Sequence, residues 1–246
     1  MQLLLPDESY IYLGDTARTP YGPKSAETIR AYSKECAKFL GGRGVKLLVV
    51  ACNTSSSYAL DLLASELSCP VIGTIMPAAI KAASVTRSGR VGVIGTEATI
   101  LSDAYSRALK GLAPEVHTYS KDCPLFVPVV EQGLTSGPVV EELVKLYLAP
   151  LMNLNVDSLI LGCTHYPLLT EAIESYAGEA VTIVNCASCV AEKAKEMLME
   201  REMAVAKNDS KRDIYYVTDA ASRFKYLASL FLGSAVVEVL ELPTLV

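Results

Sequence analysis

Two stretches decide how this chain folds: Val45-Lys46-Leu47-Leu48-Val49-Val50-Ala51-Cys52-Asn53-Thr54 and Val156-Asp157-Ser158-Leu159-Ile160-Leu161-Gly162-Cys163-Thr164-His165. Each is a short apolar run with β-branched residues that opens through a small residue and a cysteine into small polar residues. Such runs, apolar without alternation, fit parallel strands buried on both faces. In open α/β sheets ligands bind beyond the carboxyl ends of the strands, which is where both thiols fall. A chain that repeats this arrangement can set two thiols across one cleft. That geometry moves a proton on and off one carbon from opposite faces.

Outward from these runs, strand and helix signals alternate almost throughout. The strand Tyr10–Leu13 leads into the turn-rich residues 14–23, and Ser25 with Thr28 opens a helix to about Leu40, closed by Gly41-Gly42. After the first cysteine strand come a helix near Ser56–Leu67, a strand Val71–Ile75 and a connecting segment from Pro77. The strand Arg90–Gly95, a helix near Glu97–Leu112, a strand near Val116–Tyr119, a polar loop and a helix near Pro138–Met152 lead to the second cysteine strand. A helix over Pro167–Ala177, a strand Val181–Val184 and a charged helix near Ala187–Glu202 follow. A polar loop over residues 206–211, the strand Ile214–Val217, the helix Ala221–Phe231 and a strand near Val236–Val239 close the chain. Repeated βαβ units of this kind predict mainly parallel sheets with helices on both faces.

Aligning the two cysteine strands exposes an asymmetry. The second half opens with a strand and helix over about Arg90–Leu112 that the first half does not match. In a doubly wound sheet that opening strand is central, so the first sheet is expected to have a gap in its middle or a rearranged strand order.

The chain has 246 residues, 51 % hydrophobic, with a net charge of −5, seven cysteines and no Trp. No apolar run reaches the length of about 18 residues that spans a bilayer, and the start carries no secretory signal. An odd number of cysteines without such a signal points to reduced thiols and a cytoplasmic location. With no Lys/Arg cluster, the electrostatic footprint of a nucleic-acid partner is missing. No nucleotide fingerprint or pyridoxal-type lysine motif is evident, so no cofactor is expected.

Only the thiolate of a cysteine is a competent base. The backbone N–H groups of Asn53, Thr54 and Ser55, and of Thr164, His165 and Tyr166, lie where helices begin and favour an anion. A single cysteine in such a place reads first as a small buried residue; two at equivalent positions of a repeat reverse that reading. Other features read more plainly. His117 is expected to be structural. Cys186 and Cys189 have CxxC spacing without a second pair or a His, and are expected as small residues at a helix start rather than metal ligands. Cys36, Cys69 and Cys123 carry no pairing signal, and no metal site is expected.

Ala51-Cys52-Asn53-Thr54 and Gly162-Cys163-Thr164-His165-Tyr166-Pro167-Leu168-Leu169 resemble the two active-site signatures of the glutamate racemase family. Residues 14–25, with Pro20-Tyr21-Gly22, are similar to that family's substrate loop. Val91–Thr96, Cys123–Pro128 with Glu131-Gln132-Gly133, and Tyr216-Val217-Thr218 with Arg223-Phe224 also match. The resemblance implies cofactor-independent, two-base interconversion of L- and D-glutamate, supplying D-glutamate for peptidoglycan. It casts Cys52 as the base toward D-glutamate and Cys163 toward L-glutamate, with Asp15, Glu131 and His165 as auxiliary acids and bases. Tyr21, Gly22, Asn53, Thr54, Thr96, Thr164 and His165 are the implied substrate contacts, and the family is often homodimeric. The family opens with a strand ending in Asp-Ser-Gly-x-Gly-Gly, which this sequence does not contain; this is the same unit that the repeat leaves unmatched. Two alternatives stand beside this reading: an aspartate racemase, and a non-catalytic relative that only binds. Repeat and resemblance together predict two pseudo-symmetric three-layer α/β domains facing a shared cleft. The first holds residues 1–77 and 186–246 and carries Cys52; the second holds residues 78–185 and carries Cys163.

Overall fold

The computed structural model describes residues 1–207, 210–232 and 238–242. The first half runs β1 (Ile11–Gly14), α1 (Ala26–Gly41), β2 (Leu48–Val50), α2 (Asn53–Glu66), β3 (Val71–Gly73) and α3 (Ile75–Val85). The second runs β4 (Arg90–Gly95), α4 (Glu97–Leu101), α5 (Ala104–Leu112), β5 (His117–Asp122), α6 (Phe126–Glu131), α7 (Pro138–Met152) and β6 (Ser158–Gly162). A 3-10 turn (Tyr166–Leu169), α8 (Thr170–Ala177), β7 (Thr182–Asn185) and α9 (Cys186–Glu200) follow, then β8 (Ile214–Val217), α10 (Ala221–Leu232) and β9 (Val239–Glu241). Every strand pairing among the described residues is parallel.

The second half forms one four-stranded sheet in the order β5-β4-β6-β7. Its centre is β4, whose Val91, Val93 and Ile94 are fully buried. One face packs on α6, α7 and α8 through Phe126, Val144, Leu148, Leu159, Leu161, Leu169 and Ile173. Burying each such side chain contributes about 1.5–3 kcal/mol. Phe126 meets Tyr147 and Tyr166 edge-on, at ring separations of 5.2 and 5.1 Å, an arrangement that aromatic quadrupoles favour. The other face packs on α3 and α5 through Ala78, Ala79, Ala82, Tyr105, Leu109 and Ile160.

The first half is divided. Its strands lie in two sheets, β1-β8-β9 and β2-β3, and among the described residues β1 and β2 do not pair. By the repeat, β1 answers to β5 and β2 to β6, so the place between them is the one β4 fills in the second half. Near β2 and β3, Leu5 from the chain start is buried against Ile72, Val190, Ala194 and Leu198, with Leu47 and Val49 alongside.

Several expected boundaries shift for local reasons. Pro77 does not start a connecting segment: it lies in the first turn of α3, where its missing N–H would have no partner anyway. The helix expected over 97–112 breaks into α4 and α5 at Asp103, which takes a left-handed φ of 54°. The Ser102 hydroxyl, accepting the Ala104 N–H at 3.2 Å, offers the backbone the alternative bond. The polar loop before α7 contains the short helix α6, and β5 runs on to Asp122. Residues 208 and 209 of the expected polar loop, and 236 and 237 of the expected last strand, lie outside the described residues; β9 begins at Val239.

Candidate active site

Both cysteines sit where the repeat puts them, at the carboxyl ends of β2 and β6. Cys52 is partly buried and caps α2, its Sγ accepting the Ser55 N–H at 3.5 Å. Cys163 follows β6 and is only 7 % exposed. Burial pushes its thiol up to about 12; the N–H groups of His165 and Tyr166 and the Thr164 hydroxyl pull the other way, and the nearby Cys52 sulfur adds to the rise. The two thiols therefore share one electrostatic neighbourhood.

Beside Cys163 a polar chain runs outward. His165 Nδ1 lies 3.8 Å from Cys163 Sγ and 3.3 Å from Thr164 Oγ1, while its Nε2 faces Glu131 Oε1 at 3.5 Å. The other Glu131 oxygen is 3.7 Å from Arg223 on α10. Burial holds His165 below the usual imidazole range, with the Glu131 carboxylate opposing the shift. A neutral imidazole whose Nε2–H points at Glu131 leaves Nδ1 free to take the thiol proton.

Around Cys52 the contacts join the two halves. The Oγ1 atoms of Thr54, Thr96 and Thr99 form a triangle with sides of 2.9, 3.2 and 2.9 Å. Gly22 closes against the same point: its carbonyl accepts the Ala98 N–H at 3.0 Å, and a Cβ there would come within 2.9 Å of Thr96 Cβ. Tyr21 is buried and donates its hydroxyl to Asp15. Asp15 also accepts from Arg18 Nε, at 2.8 and 2.9 Å, and from the Thr218 hydroxyl at 3.1 Å. Its hydrogen bonds run to the loop it holds and to Thr218, whereas its repeat partner Glu131 contacts His165.

Asn53 is 2 % exposed. Its Oδ1 accepts from Thr74 Oγ1 at 2.8 Å and from the Tyr105 hydroxyl at 2.6 Å, and its Nδ2 has no partner. A buried amide donor left without a partner costs about 1–3 kcal/mol, so this one is suited to a ligand acceptor.

The structure thus brings together Cys163, Thr164, His165 and Glu131, and separately joins Tyr21, Gly22, Thr54 and Thr96 across the seam between halves. Thr74, Thr99 and Tyr105 are additions that sequence reading missed. Thr74 and Thr99 are hydroxyls near strand ends, and Tyr105 lies in an amphipathic helix with no motif around it. Cys186 and Cys189 are buried at the start of α9, as expected. Among the described residues no cluster of three or more His, Cys, Asp or Glu side chains could hold a metal ion.

Comparison with known proteins places the chain in a family. Residues 2–194 match the family model described as Asp/Glu/Hydantoin racemase. The chain is 48 % identical to a glutamate racemase of Geobacter metallireducens over 96 % of this chain and 88 % of the relative. It superposes on a glutamate racemase isoform of Bacillus anthracis with a TM-score of 0.94 at 39 % identity, covering 98 % of this chain and 90 % of the other. A glutamate racemase of Francisella tularensis, solved in complex with D-glutamate, matches with a TM-score of 0.92 at 34 % identity, covering 99 % and 90 %.

Proposed function

The chain belongs to the glutamate racemases of the aspartate, glutamate and hydantoin racemase family, and from that premise we propose that it interconverts L- and D-glutamate through Cys52 and Cys163 without a cofactor. The placement of two thiols at repeat-equivalent strand ends, close enough to influence each other, carries this reading.

In the state that accepts D-glutamate, Cys52 is the thiolate and Cys163 the thiol. Cys52 removes the α-hydrogen as a proton, and the electron pair left on Cα spreads into the α-carboxylate. Cys163 gives its proton to the opposite face, forming L-glutamate. The enzyme is left with a Cys52 thiol and a Cys163 thiolate, the state that runs the reaction in reverse. His165, backed by Glu131, takes or returns the Cys163 proton, and such acid–base help contributes about 10²–10⁴-fold. Tyr21, Gly22, Asn53, Thr54, Thr96 and Thr164 hold the substrate's carboxylates and amine. Asp15 serves the Cys52 side by fixing the Tyr21–Gly22 loop. The domains, residues 1–77 with 186–246 and residues 78–185, close on the substrate between them. The product serves peptidoglycan synthesis in the cytoplasm, and the enzyme works as a homodimer. Among the described residues no helix is long and apolar enough to cross a membrane.

Circular dichroism of D-glutamate in D2O, with no added cofactor, tests the reading. Loss of optical activity with deuterium at Cα is expected, and C52S or C163S should each lower turnover by about 10²–10⁴-fold. Full turnover in either variant overturns the two-thiol assignment. Aspartate run in parallel should turn over far more slowly.

A further inference from the structure

Behind the cleft, a buried polar relay connects the two cysteine turns. It starts at Asn53, next to Cys52, whose Oδ1 accepts the Tyr105 hydroxyl at 2.6 Å. The Tyr105 oxygen lies 2.9 Å from Cys186 Sγ, which in turn lies 2.9 Å from the carbonyl oxygen of Leu161, two residues before Cys163. The Cys186 S–H therefore has two acceptors, and the Tyr105 proton goes to Asn53. The tyrosine ring also packs where Gly162 has no side chain: a Cβ on Gly162 would lie 3.2 Å from Tyr105 Cε2. Tyr105 is 2 % exposed, and burial raises its hydroxyl well above the ordinary tyrosine range, with Cys186 adding to the rise. It is a donor at every working pH.

We propose that Tyr105 is a positioning residue for the racemisation proposed above: its hydroxyl fixes the Asn53 amide so that the unpartnered Nδ2–H faces the substrate. Thr74 and Tyr105 both donate to Oδ1, and two donors on one oxygen make the opposite rotamer, with NH₂ turned toward two hydroxyls, the poorer choice. With only Thr74 left, the amide is free to turn, since that hydroxyl can also accept. The inference rests on Asn53 touching substrate. Its consequence is that affinity for glutamate depends on a residue that the substrate does not reach.

Y105F tests it, because the ring still fills the space above Gly162 while the donor is gone. The expected result is a rise in KM of about tenfold with a smaller change in kcat, the pattern of lost uniform binding. A residue that only packs would lower Tm and leave KM in place. In an N53A background the same change should shift kcat/KM by less than about twofold, since the two act as a unit. An unchanged KM in folded Y105F, or a full tenfold loss retained in N53A, overturns the proposal. The side-chain amide protons of Asn53, assigned in NMR spectra by their loss in N53A, read the same point without turnover. They should exchange faster with solvent in Y105F, and an unchanged rate also overturns the proposal. A wild-type chain that does not racemise glutamate would instead overturn the function and leave the amide measurement to decide Tyr105.

Discussion

At Cys163 two effects compete, and burial wins over the N–H groups that would hold a thiolate. The thiol, pushed up to about 12, is therefore protonated throughout the neutral range. Cys52 is more open to solvent. Iodoacetamide at pH 8 should alkylate Cys52 well before Cys163, as followed by peptide mass spectrometry, and D-glutamate should protect Cys52. Faster modification of Cys163 would contradict this ordering. His165 supplies a pH signature. Held below the usual imidazole range by burial, it is neutral at pH 7 and accepts a proton through Nδ1. Acidification protonates it and removes that acceptor, so kcat/KM for L-glutamate should fall as pH drops through a pKa below the ordinary value of about 6.5. The Glu131 carboxylate stabilises the imidazolium, so E131Q should move this acid limb to lower pH. A shift to higher pH would rule out the His165–Glu131 pairing in the working enzyme.

At the scale of elements, the repeat explains why the residue before each cysteine differs. Gly162 ends β6 directly beside β4, and a Cβ there would lie 2.6 Å from the Ile94 carbonyl oxygen. Backbone cannot give way as a side chain can, so only glycine fits. Ala51, at the same place after β2, is exposed, and among the described residues β2 pairs only with β3. G162A should therefore cost about 1–3 kcal/mol by overpacking. For a chain of this size each kcal/mol lowers Tm by about 2–4 °C. A51G should change Tm by less than about 2 °C, an exposed site away from the core. Equal effects in thermal melts would sink the comparison. The same elements show what was legible in the sequence. The cysteine strands were readable because a strand buried on both faces needs an unbroken apolar run. Cys52, Cys163, His165 and Glu131 stood out because their residue types carry chemistry at repeated or matched positions. Pro77 misled because a proline in a first turn looks locally like a break, and Asp103 was missed because one left-handed residue leaves the helical period intact. Tyr105 and Thr74 were invisible for another reason: their partners are distant in sequence, and only the packing of α5 and α3 beneath the cysteine turns brings them to Asn53.

For the whole molecule, the consequence lies in the divided first sheet. The second half sets Cys163 directly after β6, a strand clamped between β4 and β7, whereas Cys52 follows β2, which pairs only with β3 among the described residues. The first thiol thus stands on the less braced support, although both must keep their positions for a proton to pass across the cleft, and small displacements of catalytic groups are costly. The seam through Gly22, Thr54, Thr96 and Thr99 ties Cys52's helix to the better-braced half. T54V should therefore lower kcat more than a surface threonine change does, while Tm falls by only a few degrees. An equal loss of kcat in a surface threonine variant would show that Cys52 draws no support from the seam.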